Sequence, residues 1–418
     1  MRNRNKIPIV LVITAVLVVA LLGIYFLTKG KNNNKVGENP GKSTISTSST
    51  NQNTTATTSN QTSTAQQNTV EGPKRLKVDP VRAVYLSGDS AGIPKTIDHI
   101  IELTKTTNLN AVVIDVKESG KVNYASNIEA VKNINAIDKK YNPEEVIKKL
   151  HENNIYVIGR VVCFRDNYLG QKRSDLAVKR VNGQAFTDDN GLRWILPFSE
   201  EAQQYNIDIA KEAADKGFDE IQFDYVRFPD ATSKQVSYGQ ISPKADIISE
   251  FLKKASDELH KKDIKVSADV FAIICESQSD GEAIGQIIER VGKDIDYVSP
   301  MIYPSHFANA SKTGAMHNGV GQEINGIKFT APDLEPYKVV YNTMLRTMSK
   351  ISAVSDYKAK IRPYLQAFTA SYLPAGYKQK YGPAQVKEQI KAANDGGSNG
   401  WILWDPANIY KTDYFETK

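Results

Sequence analysis

The chain has 418 residues, a net charge of +6, two cysteines and five histidines. That length suits one large domain or two ordinary ones, and two cysteines exclude a disulfide-dense scaffold and a CxxC metal site. No HxH or HExxH pair is present to build a histidine-rich metal centre, and the basic residues are interspersed rather than gathered into a stripe with aromatics, which argues against nucleic acid.

The chain opens with the basic "MRNRNK", followed by "IPIVLVITAVLVVALLGIYFLT" (residues 7–28), which carries no charge. About 20 apolar residues cross a bilayer, whereas the apolar core of a cleaved signal peptide has only ~7–15 and precedes a small-residue site. The pattern predicts a cytoplasmic tail (1–6) and a transmembrane signal anchor (7–28). Arg2, Arg4 and Lys6 favour the inside. A single-pass cell-membrane protein with an extracytoplasmic C-terminal region follows. Residues 29–78 are rich in Ser, Thr, Asn and Gln. Such a segment buries too little apolar area to offset its ordering entropy and reads as a disordered linker. Residues 79–418 remain as the folded domain.

From Val81 onward, apolar runs alternate with amphipathic helical patterns. The strand candidates are 82–87, 110–117, 155–164, 219–226, 264–271, 295–303, 360–368 and 399–405. Helical patterns lie near 94–107, 143–154, 200–217, 244–262, 281–292, 336–352 and 382–397. Strict alternation implies a parallel sheet covered by helices, and eight units predict an α/β fold of the (β/α)8 TIM-barrel type. An open doubly wound sheet is the other arrangement, but the first turn, "LSGDSAGIP", has no G-x-G-x-x-G and no Walker sequence appears.

In a barrel of this kind the site lies at the C-terminal strand ends, and side chains alternate inward and outward. In "DEIQFDYV", Gln222 and Asp224 share one parity while Ile221, Phe223 and Tyr225 share the other. The polar set should point inward, with Asp224 at the mouth. Ser267 with Asp269, Asp115 with Lys117, and Arg362 with Tyr364 and Gln366 repeat the pattern, and Arg160 comes late in its strand. Buried carboxylates and guanidinium groups need partners, so structural ion pairs are one reading. The other is chemistry: two carboxyls across a cleft are the minimum apparatus of glycoside hydrolysis. Tyr225, Tyr303, His306, Phe368, Trp194 and Trp404 lie in or beside strand-end loops, where aromatic faces suit sugar rings; Trp401, early in its strand, reads as core. Cys163 and Cys275 end two strands that flank the fourth, so a disulfide across the mouth stays open.

"NAVVIDVKESGKVNYAS", "GRVVCF", "FDEIQFDYVRFP", "KVSADVF", "DYVSPMIYPSH", "IRPYLQAF" and "NGWILW" resemble successive blocks of a bacterial glycoside-hydrolase-like family. That family was first catalogued as a domain of unknown function and is assigned a TIM-barrel fold related to the α-amylase-like hydrolases. The resemblance covers about residues 80–412. It implies that Asp224 is the nucleophile or base and that the fifth strand supplies the acid. The amylase-like pattern has Glu there, whereas this chain has Asp269, with Glu276 seven residues later. Asp405 stands where Asn is expected and is not counted as catalytic. Asp115, Arg160, Tyr225, Arg227, Tyr303, His306, Gln366 and Trp404 are expected to bind substrate or tune the carboxylates. The expected partner is a polysaccharide or cell-wall glycan, with no cofactor or metal. The alternatives are a non-catalytic glycan-binding barrel and a metal-dependent deacetylase, the latter opposed by the missing histidine pairs.

Overall fold

The computed structural model describes residues 74–307 and 322–418. The expected tail, the membrane segment and residues 29–73 of the linker lie outside the described residues. Eight parallel strands close on themselves: β1 (Val81–Leu86), β2 (Ala111–Glu118), β3 (Tyr156–Val162), β4 (Glu220–Asp224), β5 (Lys265–Phe271), β6 (Tyr297–Ile302), β7 (Lys360–Ile361 and Tyr364–Gln366) and β8 (Gly400–Trp404). Each pairs with its sequence neighbour, and β1 pairs with both β8 and β2. This is the predicted barrel. Pro363, which has no N–H to give a ladder, separates the two pieces of β7.

The alternation of side chains sorts two cores. Val81, Ala83, Ala111, Val113, Ile158 and Ile402 fill the interior with Tyr85, Tyr156 and Tyr364. Ile221 and Phe223 of β4 face outward into the layer between sheet and helices, where Phe223 meets Phe251 edge-on at 5.5 Å. The helices Pro94–Thr106, Pro143–His151, Glu200–Asp215, Lys244–His260, Pro336–Ser352 and Pro383–Asp395 form that layer. Their predicted ends hold to within a few residues. The helix expected near 281–292 is instead two short ones, Gln278–Ile284 and Ile288–Val291. Gly285 divides them at a φ of 82°, where a helix stops.

Two further details position the site. The linker is expected to run to residue 78, yet Arg75 donates to the carbonyls of Ala214 and Phe218, and the Leu76 N–H donates to Asp219. Leu76 and Val78 pack onto the interior core. The chain therefore enters the barrel across its base, opposite the C-terminal strand ends. In β2, the register shifts between Asp115 and Lys117. Such a bulge breaks the period of two. Asp115 stays inward, but Lys117 turns outward and pairs with Asp166 at 2.7 Å and Asn206 at 2.9 Å beneath the helix Glu200–Asp215. The parity shared by Asp115 and Lys117 in sequence is thus not realised.

Candidate active site

The inward face of β4 carries Glu220, Gln222 and Asp224 in ascending order, all buried. At the base, Glu220 accepts two bonds from Arg362, one from Tyr156 and one from Ser267. In the middle, the Tyr364 hydroxyl donates to Gln222 at 2.6 Å, and Gln222 donates to Ser299. At the mouth stands Asp224.

Arg160 organises the mouth. Its Nε and Nη2 donate to Asp224 Oδ2 at 3.0 and 2.6 Å, and its Nη1 to Asp115 Oδ1 at 2.6 Å and Glu118 Oε2 at 3.0 Å. The other Asp224 oxygen accepts the Tyr225 backbone N–H at 2.6 Å. Burial opposes the charge of Arg160, but Asp115, Asp224 and Glu118 outweigh it and hold its pKa well above the usual range. Asp115 also accepts from the Tyr85 hydroxyl at 2.6 Å. Burial pushes its pKa up to about 6 against the pull of Arg160. Arg160 and Asp115 thus stand where the strand ends predict, but they bind one another and Asp224.

Asp269 is the contrast. Phe223 pairs with Ala268 across β4 and β5, so Asp224 and Asp269 are the next inward neighbours in that register. Asp269 is 1% exposed, has no salt-bridge partner among the described residues, and its Oδ1 is buried without a hydrogen bond. Burial first, then the charge of Asp224, raises its pKa well above the carboxylate range, against a weaker pull from Arg160 and Arg362. The two neighbouring carboxyls therefore differ in their surroundings: Asp224 is bound by a guanidinium, whereas burial and the adjacent charge favour the protonated form of Asp269. Glu276, the other candidate acid, lies away from the barrel interior. It lines a surface cavity of about 610 Å³ with Asp280, Glu323 and Arg346, and accepts from the Asn325 N–H. Position and environment favour Asp269.

Aromatic residues wall the side of the mouth beside β6 and β8. Tyr303 stacks on Trp404 with centroids 5.6 Å apart and 28° between planes, and His306 and Phe368 meet Tyr303 edge-on. Asp269 is the strongest charge felt by the Tyr303 hydroxyl. Burial lowers the His306 pKa to about 3, so the imidazole is neutral, and its Nε2 has no partner among the described residues. Trp404 keeps part of its surface open. Trp401 faces the outer core, stacked on Phe415.

Other expected site residues prove to have their capacity taken up. The Gln366 amide uses all four of its hydrogen-bonding positions: it accepts from the Ser305 N–H and hydroxyl and donates to Asp333 and the Phe368 carbonyl. No donor or acceptor is left for a substrate, so its role is to hold the loop that carries His306. Arg227 is 1% exposed, with its guanidinium over the rings of Trp194, Tyr225 and Phe271 at 4.5, 5.3 and 4.5 Å. It is walled off from direct substrate contact. Tyr225 is half-buried beside it. Asp405 caps the following turn through the N–H groups of Ala407 and Ile409. Cys163 and Cys275 are separate, buried free thiols, which closes the question of a disulfide between them. Sequence reasoning overlooked Tyr85, Glu118 and Arg165. The strand-end position of Glu118, and the inward parity Tyr85 shares with Ala83, were the available signals.

Residues 83–410 match the family described as "putative glycosyl hydrolase domain". That is most of the chain, and the protein belongs to this family. A hypothetical protein from Ruminiclostridium thermocellum is 46% identical over 45% of this chain and 97% of its own, with a TM-score of 0.42. The glycoside hydrolase domain of PgaB (BpsB) from Bordetella bronchiseptica is 13% identical over 78% of this chain and 94% of its own, with a TM-score of 0.54. A β-galactosidase from the psychrophilic Marinomonas ef1 is 10% identical over 78% of this chain and 54% of its own, with a TM-score of 0.51. These last two likenesses are of fold. A search of curated proteins gave no match.

Proposed function

We propose that the protein is a membrane-anchored, extracytoplasmic glycoside hydrolase that cleaves O-glycosidic bonds of a polysaccharide. The observation that carries this reading is the split environment of Asp224 and Asp269. Asp224, bound by Arg160 and the Tyr225 N–H, attacks the anomeric carbon. Asp269, with no cation partner among the described residues, gives its proton to the leaving oxygen and then serves as base for the incoming water. Neighbouring strands lie about 4.8 Å apart, so paired inward carboxyls suit the ~5 Å separation of retaining enzymes better than the ~6.5–9.5 Å of inverting ones. Trp404, partly open and backed by the buried ring of Tyr303, offers a flat apolar surface to a sugar face, and His306 a neutral polar edge.

The cellular setting rests on sequence. Residues 7–28 supply the anchor and 29–73 the tether. Because the chain enters at the barrel base, opposite the mouth, the tether leaves the mouth unobstructed for cell-wall or surface glycans. The test is to incubate the protein with such glycans, measure reducing-end release, and follow the first-formed anomer by NMR. Retention with wild type and no release with Asp224→Asn is expected. Binding without cleavage by wild type would leave a glycan-binding barrel instead.

A further inference from the structure

Among the described residues, seven non-glycine positions have a positive φ, and six of them are Ser, Asn or Asp. Short polar side chains tolerate the left-handed region. The seventh is Tyr225, at 49°, directly after Asp224. A bulky residue stays in such a conformation only where its surroundings over-determine it, and here they do. The guanidinium groups of Arg165, at 4.9 Å, and Arg227, at 5.3 Å, both lie over the Tyr225 ring. Its edge meets Trp194 at 5.8 Å, and its hydroxyl accepts from Arg165 at 3.1 Å.

Each arginine is itself fixed. Arg165 donates to Asp188, which also accepts from the Trp194 indole and from the N–H groups of Asn190 and Leu192. Arg227 donates to the Phe228 carbonyl at 2.8 Å and lies over Trp194 and Phe271. The consequence falls on Asp224. The left-handed turn accompanies the return of the Tyr225 N–H onto Asp224 Oδ1, while Arg160 holds Oδ2.

We infer that the Arg165–Tyr225–Arg227 stack is a positioning device. It holds the backbone after β4 in a strained turn, so that the Asp224 carboxylate is gripped from both sides and presented in one orientation. Tyr225 acts through its backbone, and its ring and the two arginines act through Tyr225. The catalytic consequence rests on the hydrolase reading above; the geometric one does not.

Three substitutions at one position separate backbone from ring. Tyr225→Phe keeps the ring, Tyr225→Asn keeps tolerance of the left-handed region, and the β-branched Tyr225→Val keeps neither. The expectation for the full chain is a Val variant whose kcat falls about 10- to 100-fold at nearly unchanged KM, as misplacement of a reacting group does, and a Phe variant, which loses only the Arg165 hydrogen bond, with a much smaller loss. The Asn variant should recover part of the loss. Arg227→Met, which retains the apolar stem, should move kcat in the same direction as Val and serves if the Val variant does not fold. Equal losses in Asn and Val with a raised KM would overturn the inference and make the ring a substrate contact. Crystal structures of the variants give a readout free of activity: in the Val or Arg227→Met protein the Asp224 carboxylate should leave the residue-225 N–H. A carboxylate that stays put overturns the inference even if hydrolysis is found. A carboxylate that swings in a protein with no hydrolase activity leaves it standing and removes only the functional reading.

Discussion

Two charged clusters stand on the same inward edge of β4, one at each end of the barrel, and they are built differently. At the base, Glu220 and Arg362 are both fully buried, and every Glu220 lone pair in use meets a donor from Arg362, Tyr156 or Ser267. At the mouth, Arg160 serves three carboxylates at once while Asp269 beside them has no salt-bridge partner among the described residues. At the base both Glu220 oxygens are paired and only the Arg362 Nε lacks a partner among the described residues, so the Glu220 charge reads as architecture. At the mouth it is a carboxyl oxygen, Asp269 Oδ1, that is buried without a hydrogen bond, and perturbed carboxyls gather at functional sites.

The largest expected effect tests the mouth. Asp224→Asn should abolish measurable turnover, and Asp269→Asn should lower kcat by about 10²–10⁴-fold, both in proteins with wild-type circular dichroism. A fully active Asp269→Asn enzyme would erase the distinction between the two ends. Next, Arg362→Met should cost about 3–5 kcal/mol in urea unfolding, because it strands the Glu220 charge. Adding Glu220→Gln should recover much of that, and the folded fraction should still turn over. If the single variant were as stable as wild type, the base would not be the paired structural element its bonds describe.

Gln366→Ala should cost about 1–3 kcal/mol through the unpaired Ser305 and Asp333 groups, and should raise KM by loosening the His306 loop. Calorimetry and steady-state kinetics check both. The pH dependence sharpens the contrast further. The folded-state pKa of Asp269 is raised, so wild type loses stability as pH climbs through that value, whereas an amide does not titrate. Melting curves of Asp269→Asn should therefore gain on wild type as pH rises, and hydrolysis by wild type should decline over the same range as the acid loses its proton. The smallest effect is expected at Asp405→Ala, about 1 kcal/mol from a lost turn cap, with kcat unchanged.

Much of this was legible in the sequence. The alternation of apolar runs with helical patterns marked all eight strands, and a period of two placed Gln222 and Asp224 inward. Asp269 was visible as the second inward carboxyl for the same reason. Yet parity says only which way a side chain leaves the strand. It did not foresee that Gly285 divides the fifth helical segment, or that the bulge in β2 carries Lys117 outward to Asp166.

The sequence by itself determined the barrel and the inward parity of Asp224 on β4 and of Asp269 on β5, because the first follows from the alternation of strand and helix patterns and the second from a period of two within each strand. Which carboxyl receives the cation was decided only by the tertiary structure. Arg160 reaches Asp224, Asp115 and Glu118 but leaves Asp269 bare. Gln366 spends its whole amide on a loop, and Arg227 stacks under aromatic rings instead of meeting substrate. Long side chains choose partners from other strands, and burial sets the cost of each choice; neither quantity exists until the barrel has closed.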